Sequence, residues 1–320
     1  MKLVLYCLFV LLGVLAPVKK DGKWGYIDKK GDVVVPFKFD FADTFSDGIA
    51  TVAKKDKFSF IDTSGHYLPL VYDFSWGFKD GLAVVRKNGK WGVIDIDGKE
   101  VIPLEYDEEI LSISEGLITV SKDEKSGFFN SEGIQVIPFK YSWAGSFSEG
   151  LASVINRNDR MGFIDKSGKL VIPYKYDDVE EFSEGLAYVE KNDHCGFIDK
   201  TGEVSIPLVY DDADIFSEGL AAVQLKGKWG FVDKTGKTVI PLLYDYAGGF
   251  SNGIAEVGLK GKRGYINKAG NVIIPLKYDD TKPFFNGLAA VKVDDKWGFI
   301  DKSGKQVIPF VYEDVKRGFK

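Results

Sequence analysis

GLAAVQLKGKWGFVDKTGKTVIPLLYDYAGGFSN, Gly219 to Asn252, decides the fold, because it can be laid over the rest of the chain almost everywhere. Its Trp229-Gly230 pair returns as Trp24-Gly25, Phe58-Ser59, Trp91-Gly92, Ser126-Gly127, Met161-Gly162, Cys195-Gly196, Arg263-Gly264 and Trp297-Gly298. The second members of these pairs are 34, 33, 35, 35, 34, 34, 34 and 34 residues apart. A period of this size, present nine times, marks a tandem repeat in which each unit is one supersecondary piece. Length alone would suggest two domains. The repeat overrides that and makes residues 15–320 a single array.

Within one copy, Leu220-Ala221-Ala222-Val223 is a short β-prone run that leads into a turn at Lys226-Gly227. Equivalent turns read Asp21-Gly22, Asn88-Gly89 and Lys260-Gly261, which suits a tight hairpin with positive φ. The second strand, Trp229 to Asp233, ends in Asp233-Lys234-Thr235-Gly236. Asp or Asn at i with Gly at i+3 recurs in all nine copies and predicts a second hairpin, its Gly left-handed. The third strand, Thr238 to Ile240, runs into Pro241, and nine of the eleven prolines hold this place. Proline cannot donate to a ladder, so this strand is expected to be an edge or to end there. A connector follows. Its Asp245 (also 40, 73, 107, 177, 211 and 279) is expected to bond nearby amides. Its Phe250 is expected to anchor the loop to the body. Trp229 and Phe231 lie on one face of the middle strand, Gly230 and Val232 on the other, so both faces are expected to be buried against neighbouring units.

The runs KWGYID, KWGVID, KWGFVD and KWGFID, followed by an x-x-G turn, a V-I-P-like run, an aromatic-Asp pair and Phe-Ser-x-Gly, with Ile113 and Glu313 among the departures, resemble the WG-containing (KWG) repeat family over residues 15 to about 315. The resemblance implies tandem β-rich repeats and an interaction or scaffold role, and it supplies no catalytic residues. The expected fold is all-β: nine three-stranded antiparallel units in an open, twisted, solenoid-like superhelix. The alternative is a closed propeller-like ring, favoured by the intact motifs of the first and last copies, since open arrays carry atypical caps.

The composition, 45% hydrophobic and 14% aromatic, allows a large core. The net charge of −5 comes with no basic block, so the footprint of a nucleic-acid binder is missing. The cysteines, Cys7 and Cys195, do not make a disulfide framework. Nor do His66 and His194, at turns of different repeats, have zinc-ligand spacing, and no phosphate loop or nucleophile elbow occurs. No metal, cofactor or catalytic residue is therefore expected. Carboxylates crowd the connectors at Asp177, Asp178, Glu180, Glu181 and Glu184, and again at Asp211, Asp212, Asp214 and Glu218. They read as turn formers and solvated charges, with glycoside hydrolysis or Ca²⁺ binding as alternatives. Trp76, Trp143 and Tyr246 are aromatics outside the Trp-Gly position and are the candidate contacts for a protein or glycan partner.

Residues 1–14 form an apolar, signal-like or anchoring segment, too short for an ordinary span. Export or membrane anchoring follows as the expectation, with a cytoplasmic protein as the alternative. The function expected is a non-catalytic repeat scaffold at or outside the cell envelope, against a carbohydrate-active enzyme or a plain structural spacer.

Overall fold

The computed structural model describes residues 14–316, 318 and 319. The apolar segment expected as a signal or anchor lies, but for Val14, outside them, as does Cys7. The described residues form nine antiparallel sheets, each of four strands. No helix among them is long and apolar enough to cross a membrane.

Three strands of each sheet are those expected from the repeat. In the seventh sheet they are Leu220–Leu225, Lys228–Asp233 and Thr238–Tyr244. The first hairpin turns through left-handed residues, Lys226 at φ 53° and Gly227 at φ 72°. In the second, Gly236 at φ 80° donates its N–H to the Asp233 carbonyl at 2.9 Å. Asp233 Oδ1 meanwhile accepts the amides of Thr235 and Lys237. The third strand passes through Pro241 and lies at the sheet edge, where the missing N–H costs nothing.

The expectation of three-stranded units in an open superhelix is corrected on both counts. The start of each connector is itself a strand, Asp212–Ala213 in the seventh sheet, which pairs with the first strand of the repeat that follows it. In most copies it is two residues long, too short to show an alternating pattern, although Phe74–Lys79 and Trp143–Ser148 reach six. The last such strand, Asp314–Val315, pairs with Ala16–Lys20 and so completes the first sheet from the other end of the chain. Among the described residues, the first and last strands of the array are thus paired with each other. The fold is a nine-bladed β-propeller, closed where the chain ends share one blade.

Tertiary contacts group the chain into two compact units, one of residues up to 89 with 93–100 and 278 onward, the other of 90–92 and 101–277. The core of each lies between successive sheets. In the second unit, Leu220, Phe231 and Ile240 of the seventh sheet pack on Phe250, Ala255 and Val257 of the eighth. The Phe231 and Phe250 rings meet edge-on at 4.9 Å, and Phe128–Phe147, Phe163–Phe182 and Phe197–Phe216 repeat this geometry. In the first unit, Phe299 and Phe319 meet at the same 4.9 Å but tilted, and Phe299 shares its cluster with Ala16 and Val18. Trp24, Trp91 and Trp297 are buried, and Trp229 is partly so.

The glycine of the Trp-Gly pair answers to its own sheet. The outer strand bulges opposite it, with Trp229 facing Tyr244 and Phe231 facing Ile240. A Cβ on Gly230 would stand 2.6 Å from the Ile240 carbonyl oxygen. Only the second sheet has a side chain here, Ser59, and only its outer strand, Tyr67–Tyr72, has six residues where the other eight have seven. The shorter bulge lets Ser59 pair directly with Val71.

Candidate interaction surface

Most connector carboxylates hold one blade to the next. Asp245 accepts from the Lys228 ammonium of the seventh sheet and from the Lys260 amide of the eighth. Asp40 and Asp73 do the same with Lys23 and Lys55, and with Lys57 and Asn88. The expectation of a local Asx-type bond is therefore corrected to a bridge that reaches an amide 15 residues on. Asp177 bridges Arg160 and the Asn192 amide. Glu184 and Glu218 form a second link: each accepts a glycine N–H at 2.9 Å, from Gly219 and Gly253, and pairs at 3.1 Å with Lys234 and Lys268. Glu115 and Glu149 repeat it with Lys166 and Lys200. Beside it, the Ser183 and Ser217 hydroxyls donate to the Phe216 and Phe250 carbonyls. Asp178, Asp212 and Asp214 each accept the amide of the next residue. Of the nine carboxylates singled out, Glu180 and Glu181 alone lack such a task among the described residues.

These two lie at a groove of about 330 Å³ in the second unit, lined from the edge strands of the fourth, fifth and sixth sheets and the residues beside them. Leu111 and Trp143 form its apolar side and are 39% and 38% exposed. Gly145 gives the indole its room, since a Cβ there would lie 3.0 Å from the Trp143 ring and 2.5 Å from Ser153 Oγ. Ser153 is 8% exposed and lines the groove, and its hydroxyl has no hydrogen-bond partner among the described residues. Ser112 also lines it but is engaged, its hydroxyl 3.1 Å from that of Thr119, which donates to the Gly145 carbonyl. Glu180 is exposed as a residue, yet its carboxyl is pushed above the usual range, first by desolvation and then by Asp178, Glu181 and Asp214. Asp214 is raised too, by desolvation before its neighbour Asp212.

The three aromatics predicted as contacts fall in three different sheets. Trp76, in Phe74–Lys79, is 58% exposed, with its ring edge-on to Phe74 at 5.1 Å. Trp143 walls the groove. Tyr246 is half-buried: the Arg263 guanidinium sits 4.1 Å over its ring, and Gly258, opposite it, makes room for its Cβ.

Among the described residues no group of three or more His, Cys, Asp or Glu side chains converges as metal ligands. His66 is exposed and shares its turn with Ser64 and Asp62. Cys195 is a free, buried thiol pushed up to about 12, chiefly by desolvation and next by Asp212.

A model of the WG containing repeat matches nine successive segments, 24–58, 58–91, 91–125, 127–158, 161–194, 196–229, 229–262, 264–297 and 297–320. The chain belongs to the WG-containing repeat family. No curated protein it was compared with matches it by sequence. Among solved structures it is similar to one described as the eukaryotic initiation factor, at 12% identity and a TM-score of 0.69, over 96% of this chain and 98% of that one. It is also similar to the computationally designed Ika8 protein, at 12% identity and a TM-score of 0.50, over 82% and 93%. At these identities the likeness speaks for the fold alone. The positions that repeat from copy to copy in this chain are the buried and bridging ones described above. Leu111 and Ser153 were not singled out from the sequence, and Glu180 was read there only as one of the connector carboxylates. Leu111 and Glu180 share one alignment column with Trp76, two residues before the anchoring aromatic, where Asp43, Gly145, Asp214, Gly248 and Lys282 also stand. The variety of that column was the available signal.

Proposed function

We propose that this WG-repeat protein is a non-catalytic interaction scaffold that displays chemically different side chains from the connector strands of a closed array. The supporting observation is a division of labour among polar residues. Columns that repeat from blade to blade are taken up by turns and blade-to-blade links, as Asp245 and Glu218 are. The column that varies carries Trp76, Leu111 and Glu180 and opens to solvent. An array working only as a spacer has no need of a 58%-exposed tryptophan there. The apolar character of residues 3–16 leads us to place the protein at or outside the cell envelope.

Quantitative affinity capture from the native envelope with wild type, Trp76→Ala and Trp143→Ala tests the reading. We expect one or both variants to lose specific partners while keeping the wild-type melting temperature. Turnover of any oligosaccharide in a glycan panel, abolished by substituting Glu180 or Glu181, would overturn it in favour of a carbohydrate-active enzyme.

A further inference from the structure

The groove beside Trp143 has a definite chemistry, and an account of it rests on the scaffold reading. Its apolar lining is Trp143 and Leu111, both more than a third exposed. Glu180 and Glu181 line the same groove, with Asp178 and Asp214 close enough to crowd the Glu180 carboxyl electrostatically. Among the described residues none of these four has a cationic partner, in contrast to Glu184 and Glu218 a few residues away. Ser153, more than nine-tenths buried, adds a lone hydroxyl with no partner among the described residues. We propose that this groove binds a basic side chain, lysine or arginine, presented by a partner polypeptide.

The parts fit that occupant by separate arguments. An alkyl stem lies on indole and leucine, and a cation beside the indole gains from the ring quadrupole. The head group enters a field of four like charges that folding leaves uncompensated, where a neutral sugar would leave that repulsion in place. At the groove lining, the Ser153 hydroxyl oxygen accepts an N–H from the bound cation. The groove opens at the edge strands of three sheets, which keeps the partner's main chain outside while one side chain enters.

The test uses the full chain and fluorescein-labelled Gly/Ser peptides that carry one central lysine, arginine or norleucine. Wild type is expected to bind the lysine and arginine peptides roughly tenfold or more tighter than the norleucine peptide, with affinity falling as salt rises. The double substitution Glu180→Gln/Glu181→Gln, close in shape to wild type, is expected to remove that preference. Trp143→Ala should weaken binding of all basic peptides by roughly threefold to thirtyfold. Glu132→Gln, at an exposed turn of the fourth sheet, should change nothing. Thermal melts of each variant check that it folds. Equal binding of lysine and norleucine peptides, or a preference that survives the double substitution, overturns the inference. Trp143-dependent binding of a neutral oligosaccharide without turnover would also overturn it and leave the scaffold reading standing, whereas turnover would sink the scaffold reading itself.

Discussion

At the scale of single residues, the glycine after the motif tryptophan is fixed by a carbonyl, and the protein carries its own control. Gly230 faces the Ile240 oxygen, and Gly264 faces that of Ile274, each 2.6 Å from where a Cβ would stand. Ser59 escapes because its outer strand lacks one residue of the bulge. Gly230→Ala is therefore expected to destabilise by about 1–3 kcal/mol, the usual cost of forcing atoms into a packed interior. Ser59→Gly should cost under about 1 kcal/mol, since only backbone freedom changes. Paired urea titrations read both. If Gly230→Ala is as mild as Ser59→Gly, the bulge is not what selects glycine.

At the scale of elements, the blade-to-blade links are electrostatic and make a signed pH prediction. In Glu184 and Glu218, desolvation pushes the carboxyl up, but the lysine hydrogen bond, the glycine N–H and the lysine charge outweigh it, and the net shift is downward. A carboxyl lower in the folded than in the unfolded chain stabilises above its unfolded value of about 4.3, and that stability is lost as pH falls through the folded value. Both groups are largely solvated, so each link contributes about 0.2–1 kcal/mol after screening. Glu184→Gln/Glu218→Gln should thus lower the urea midpoint at neutral pH and match wild type once pH is well below the carboxylate range. An equal deficit at both pH values would mean that the links act through packing instead. The sequence showed the lysine and the glutamate of these links, but they stand 50 residues apart, and nothing local pairs them. The hairpins were legible because their turn residues are fixed by backbone geometry at short range. The two-residue fourth strand was not, because it is defined by its partner. Trp143 stood out from the repeat pattern, whereas Ser153 and Glu180 wear the same residue types as the turns and links and become distinct only through burial and missing partners.

At the scale of the whole molecule, closure rests on a few residues at the end of the chain. Glu313 accepts the Gly22 N–H at 3.1 Å, Asp314–Val315 pairs with Ala16–Lys20, and the Phe319 ring sits against Phe299, fully buried. An open array frays at its termini, so a terminal anchor would contribute little to stability. In a closed one, the last anchor is equivalent to any interior anchor. Phe319 and Phe250 are 0% and 1% exposed, and each meets its partner ring at 4.9 Å. Phe319→Ala and Phe250→Ala should therefore cost the same, about 3–5 kcal/mol each. Deleting residues 313–320 should be worse than either substitution, because it also strips the partner from Ala16–Lys20 and exposes a strand edge that invites association. Chemical denaturation of the three variants, followed by tryptophan fluorescence and by light scattering, separates the cases. If Phe319→Ala proves nearly silent while Phe250→Ala is costly, the shared blade does not hold the chain ends together in solution.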